Sequence, residues 1–115
     1  MTAYIDDADF ASLGLPQSVV DRAVAKGIDP ARHHEAASRW ADGYLAWQYA
    51  VPLASWTDEL REAVAARSGW TLLCAVGFNP ESPADVAVRE RADAAEKWCS
   101  RVRFGLLLPP GLVGA

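Results

Sequence analysis

The sequence predicts an all-α fold, a small bundle of four to five helices with an extended apolar C-terminal arm. Three observations carry that expectation. Apolar residues recur at steps of three and four through most of the chain. Segments with that period are separated by Gly, Asp-Pro, Asn-Pro and Ser-Pro, the usual stop and start signals of helices. No pair of alternating apolar runs joined by a tight turn, the mark of a β-hairpin, occurs before the arm.

The first helix is expected over residues 6–13, with Asp6 as its cap, Asp9 three residues later and Gly14 as its stop. The second covers 16–26. Pro16 suits a first turn, Gly27 suits an end, and Val19, Val20, Ala23 and Val24 supply the apolar side. Asp29-Pro30 opens the third helix, which runs to about residue 49. Along it Ala37, Trp40, Tyr44 and Trp47 share one face, while Arg39, Asp42 and Gln48 point elsewhere. An aromatic stripe of that size requires a matching surface, in its own core or on another chain. Pro52 makes the link over 50–55 extended, because the residue before a proline avoids α geometry.

The fourth helix begins near Ser55 or Thr57, where Ser55 and Asp58 have capping-box spacing, and reaches about residue 78. Leu60, Ala63 and Val64 make its first half amphipathic. Its second half, over 69–78, is apolar on nearly every side, so the helix is central or sandwiched between its own core and a neighbour. Asn79-Pro80 breaks the chain, and Ser82-Pro83-Ala84-Asp85 starts the fifth helix. That helix extends to about Arg103 with Val88, Ala92, Ala95, Trp98, Cys99 and Val102 on its apolar face. Arg101 and Arg103 place positive charge at the end of the dipole that favours it. The expected organisation is a helical domain over 1–103 and an arm over 104–115.

A chain of 115 residues is one domain, long enough to hide roughly two thirds of its unfolded surface. The net charge of −4, without any block of like charges, argues against duplex-DNA binding, which uses clustered Lys and Arg. It is compatible with a surface that DNA slides past. Cys74 and Cys99, each among apolar helix residues, are expected as buried thiols and not as a disulfide. No signal peptide opens the chain and no run is long enough to span a membrane, so synthesis in the cytoplasm is expected.

Candidate chemistry is sparse. His33-His34-Glu35 resembles a metal-binding run, but adjacent helical residues point about 100° apart, and the position four after His34 is Ser38. The two histidines are expected to face solvent. Neither cysteine has a basic partner nearby in sequence, and there is no nucleophile elbow or phosphate loop. No catalytic residue, metal or cofactor is assigned, and an enzyme is not expected.

Aromatic and apolar residues carry the signal instead. Five tryptophans, Trp40, Trp47, Trp56, Trp70 and Trp98, are more than a bundle of this size readily encloses beside Tyr4, Tyr44 and Tyr49. Trp40, Tyr44, Trp47, Tyr49, Trp70 and Trp98 are therefore the candidate core or subunit-contact aromatics, since tryptophan is enriched at interfaces. The arm places Phe104, Leu106, Leu107, Leu108, Leu112 and Val113 in an uncharged stretch suited to a partner's groove or sheet edge.

The order Tyr4-Ile5, Asp9-Phe10, Ala37-Ser38, Asp42-Gly43-Tyr44-Leu45, Tyr49 and Pro52-Leu53 resembles a known family. A helix centred on Leu60, a closing helix with Ala95 and Trp98, and a Gly105-leucine tail continue the match over residues 4–108. The family is the head–tail adaptor (head-completion or connector) proteins of tailed bacteriophages, of the Mu-like type. The chain departs from its pattern at Trp47-Gln48, where a basic residue often precedes the tyrosine, and in the Trp- and Leu-rich fourth helix.

The resemblance implies a helical virion protein at the head–tail junction, made in the host cytoplasm. It further implies a ring, usually of about twelve copies, under the portal, which extends the DNA channel and docks the tail or neck. The partners would be other copies, the portal protein through the arm, and tail or neck proteins, with DNA passing through without sequence-specific binding. The alternative is a small cytosolic helical interaction or regulatory module that covers a groove on a partner protein.

Overall fold

The computed structural model describes residues 3–115 and contains five helices: α1 (Asp7–Ser12), α2 (Gln17–Ala25), α3 (Pro30–Leu45), α4 (Asp58–Val76) and α5 (Pro83–Arg103). No strand is present among the described residues, only an isolated antiparallel bridge between Ser55 and Val113. The start signals operate largely as the sequence suggests. Asp6 and Asp9 form a reciprocal capping box on α1. The Asp29 carboxylate accepts from Ala31 N at the start of α3. Ser82 accepts from Asp85 N at the start of α5.

One boundary differs, and one expected cap is not made. Helix α3 stops at Leu45, four residues before the expected end, and passes through a turn into the extended link. Helix α4 has Thr57, not Ser55, at its N-cap, because the Ser55 backbone is engaged in the bridge to Val113. That bridge holds residue 55 in extended geometry, so helical turns begin only after it.

Helix α4 is the axis. It contacts each of the other four helices. Leu60, Val64, Leu72 and Leu73 are completely enclosed, and buried residues occur on all its sides. Burial of each leucine contributes about 1.5–3 kcal/mol relative to exposure. Gly69 lets Phe10 of α1 approach: a Cβ there would lie 3.2 Å from Phe10 Cζ. The C-terminal carbonyls of α4 have no basic residue on their own last turn. Helix α2 supplies the cations instead, with Lys26 Nζ donating to Val76 O at 3.0 Å and Arg22 Nη2 to Gly77 O at 3.3 Å.

Helix α3 is rotated relative to its aromatic stripe. Its most buried residues are Pro30, His34, Ala37, Ser38, Ala41 and Leu45. The small side chains among these allow close packing on α4, whereas Trp40 and Tyr44 lie at the edge of that interface. There they cover a second, alanine-rich cluster of Ala63, Ala66, Ala95 and Cys99, together with Trp98.

The segment after α5 is extended but does not project from the body. Val113 N donates to Ser55 O at 3.0 Å, Ala54 N donates to Val113 O at 2.8 Å, and Ala115 N donates to Ala50 O at 2.9 Å. Leu112 enters the main core. The Cα radius of gyration of 13.8 Å is close to the ~13 Å of a compact 100-residue domain, which leaves no room for a free arm. Replacing Leu72 with Ala should lower unfolding free energy by about 2–5 kcal/mol. The exposed Leu106→Ala should change it by no more than about 0.5 kcal/mol. Urea melts followed by circular dichroism check both.

Candidate functional site

Two buried polar ties and one exposed apolar rim are the features from which a function could be built. The first tie centres on Tyr4. The short segment containing Tyr4 lies across α3 and the 50–57 link, and its side chain is 2 % exposed. Its hydroxyl donates to Asp42 Oδ1 and accepts from Leu53 N at 2.9 Å. Its backbone N donates to Ser38 Oγ at 2.9 Å, and its carbonyl accepts from Trp56 Nε1 at 3.2 Å. The Trp56 ring stands edge-on to Tyr4 with centroids 4.6 Å apart. Tyr4, Asp42 and Leu53, far apart in the sequence, thus meet at one point. Each uses its hydrogen-bonding capacity on another part of the chain, so the tie is architectural.

Burial raises the Tyr4 hydroxyl above its ordinary value of 10.0, and the Asp42 hydrogen bond and charge raise it further against a smaller lowering by Leu53 N–H. Burial also raises the Asp42 carboxyl, opposed by the hydrogen bond from Tyr4.

The second tie joins three helices. His34 Nε2 lies 2.8 Å from Asp7 Oδ1, and Nδ1 lies 2.7 Å from Ser68 Oγ. An ionised carboxylate only accepts, so Nε2 carries a proton and Nδ1 can take the Ser68 hydroxyl hydrogen. Carboxylate, imidazole and hydroxyl follow the order of a hydrolytic triad. The polarity is reversed, however: Ser68 is 0 % exposed and the Asp7 side chain 59 % exposed. A substrate reaches the acid and not the nucleophile.

The expectation of two solvent-facing histidines is therefore corrected, because the rotation of α3 turns His34 inward. His33 is half-buried and donates from Nδ1 to Thr71 Oγ1 at 2.9 Å, while Thr71 donates to Ser68 O. Burial first, then His34, lowers the His33 pKa, with Asp29 opposing. Among the described residues no group of three His, Cys, Asp or Glu is placed to hold a metal ion. Cys99 is buried and Cys74 exposed, both as free thiols. The expectation for Cys74 is corrected because its side of α4 is left uncovered. Among the described residues no helix is long and apolar enough to cross a membrane.

The third feature is the rim. None of the five tryptophans is fully enclosed. Trp40, Tyr44 and Trp98 half-cover the alanine-rich cluster, Tyr49 packs at the edge of the main core, and Trp70 stands edge-on to Phe78 at 5.2 Å. Trp47 is 63 % exposed. Of the six C-terminal candidates, Phe104, Leu106, Leu108 and Val113 are exposed, Leu107 is half-buried, and Leu112 is in the core.

Treating Leu112 as a free partner-binding residue is thereby corrected. The extended link offers unpaired backbone groups that the terminal residues satisfy. Gly111 and Gly114 admit the close approach: a Cβ on Gly111 would collide with Thr57, and one on Gly114 would sit 3.0 Å from Ala50 N.

Arg103 organises the exposed end. Its guanidinium lies 4.6 Å from the Trp47 ring centroid and 5.1 Å from that of Phe104, and its carbonyl accepts from Gln48 Nε2 at 3.1 Å. Such stacking is worth about 0.5–2 kcal/mol and holds both rings in place. The sequence marked Trp47 and Phe104 separately. Their pairing through Arg103 had no local signal, since Trp47 lies in the turn after α3 and Arg103 at the end of α5.

No family model matches the chain, and neither a curated protein nor a solved structure matches it.

The Tyr4 tie has a pH signature. Its raised folded-state value means that stability is complete below pH 10 and declines as pH rises beyond it, because the unfolded chain releases that proton first. Cys99, pushed up to about 12 by burial and then by Glu96, adds a decline of the same sign from its ordinary value of 9.0 upward. Tyr4→Phe should cost about 1–3 kcal/mol at neutral pH, because Leu53 N–H and Asp42 lose their partner. It should also flatten the alkaline decline without abolishing the part due to Cys99. Denaturant melts of both proteins across the alkaline range measure each effect.

Proposed function

We propose that the chain is a structural virion protein, a head–tail adaptor that forms a ring beneath the portal, extends the DNA channel and receives the tail or neck. The sequence resemblance supplies the class. The observation that carries the reading is the grouping of exposed large apolar side chains: Phe104, Leu106, Leu108 and Val113 belong to the C-terminal segment, and Trp47 is joined to Phe104 through Arg103. Elsewhere among the described residues only Val24 is a comparably exposed large hydrophobic residue. A rim of this kind on a chain that has already filled two cores supports a subunit made to be covered by others.

Magnitudes fit assembly on a platform better than tight pairing in solution. Covering each rim side chain contributes at most about 1.5–3 kcal/mol. Association costs about 4–15 kcal/mol in lost freedom. One contact is then weak, whereas contacts on both sides of every copy, made on a ring that already exists, reinforce one another. The formal charge of −4 suits a passage for DNA without adhesion.

Because Leu112 is part of the core, removing the whole C-terminal segment would damage the fold as well as any docking surface. Leu106→Asp with Leu108→Asp is the cleaner test, since both side chains are well exposed. The parent protein should add several copies to purified portal particles from the same virus, read by light scattering and electron microscopy. The double variant should keep its helical spectrum and melt yet lose that incorporation. A parent protein that stays monomeric beside the portal would overturn the reading.

A further inference from the structure

We infer that the Trp47–Arg103–Phe104 stack of one copy docks into an acidic-edged cleft of a second copy, between the α1–α2 link, α4 and α5. This deepens the adaptor reading and rests on it for the closure into a ring, but the contact itself is a property of the chain. The cleft has a volume of about 350 Å³ and is lined by Leu13, Leu15, Ala63 and Trp98, with Glu59 and Glu62 along it. Its one cation, Arg91, is directed to a backbone group and donates from Nη1 to Leu13 O at 3.1 Å. Neither Glu59 nor Glu62 has an ion-pair partner among the described residues.

The stack is the complementary object. Arg103 has no carboxylate partner among the described residues, and its Nε is buried without an acceptor. Its guanidinium is framed by two aromatic rings, the Phe104 ring on a residue 65 % exposed. Arginine and aromatic anchors entering an apolar recess with carboxylates at its edge form the kind of centre that dominates protein interfaces.

The same chain therefore carries an unpaired cation framed by apolar rings and an apolar recess edged by unpaired anions. The stack cannot fill its own cleft, since Trp47, Arg103 and Phe104 are not among the residues lining it. Two different surfaces that fit each other make a head-to-tail contact, which closes as a ring when the rotation permits.

Thiol crosslinking of the full chain at high protein concentration, with dissolved oxygen as the oxidant, tests the contact without a portal. In a Cys74→Ser background, Leu106→Cys beside the stack is mixed with Ala94→Cys, an exposed residue of the cleft. The control mixes Leu106→Cys with Val24→Cys, on the exposed side of α2. The cleft pair should form the mixed disulfide about tenfold faster than the control pair, with the advantage shrinking as salt is added.

Arg103→Glu on the Leu106→Cys chain should reduce the cleft rate to that of the control. Adding Glu59→Lys with Glu62→Lys to the Ala94→Cys chain should restore it. Equal rates for the two pairs, or a rate indifferent to Arg103→Glu, would overturn the inference. Incorporation of the parent protein into portal particles would then still stand as separate support for the adaptor reading.

Discussion

Helix α4 has buried residues on every side of its first half and on one side of its second, and the remainder of the fold is arranged around it. Leu60, Val64, Leu72 and Leu73 are fully enclosed, and each of the four other helices packs against this one. Enclosure has a polar consequence. The C-terminal carbonyls of α4 end near α2, and Arg22 and Lys26 reach across to satisfy them. Ser68, in mid-helix and fully enclosed, is served by His34. Each polar group taken inside with α4 is therefore matched by a partner from another element, which pins those elements in one arrangement.

Outside that centre, the link between α3 and α4 acts as a second organiser. Being extended, it exposes backbone groups, and two separate parts of the chain come to it. Tyr4 accepts from Leu53 N, while Val113 and Ala115 pair with Ser55 and Ala50. Tyr4 and the segment over 113–115 are thereby fastened to the same strip. Once Leu112 is inserted and Val113 is bridged, the stretch over 104–108 is held against the end of α5 with its large side chains outward. The exposed rim results from that anchoring: it is a shaped surface and not a loose tail.

Element by element, much of this was legible in the sequence. Capping signals at Asp6, Asp29 and Ser82 act through short-range hydrogen bonds, so a few adjacent residues suffice to identify them. The all-round apolar half of α4 announced its central place for a similarly local reason. The inward face of α3 was not legible, because large aromatics suggest a core stripe, while the close helix contact is made by Ala37, Ser38 and Ala41. Helix packing rewards small residues at the contact and moves indoles to its edge, which periodicity alone does not distinguish. The inward turn of His34 followed from the same rotation.

The sequence by itself determined the helical class, the order and approximate limits of the helices, and the surplus of apolar and aromatic residues. These depend on intrinsic backbone preference and on composition, both local properties. Only the tertiary structure decided which part of that surplus is covered. Leu112 enters the core while Leu106 stays outside, and Trp47, in the turn after α3, meets Phe104 through Arg103 at the end of α5. Such outcomes depend on distances between residues far apart in the chain, and those distances exist only once the helices have packed.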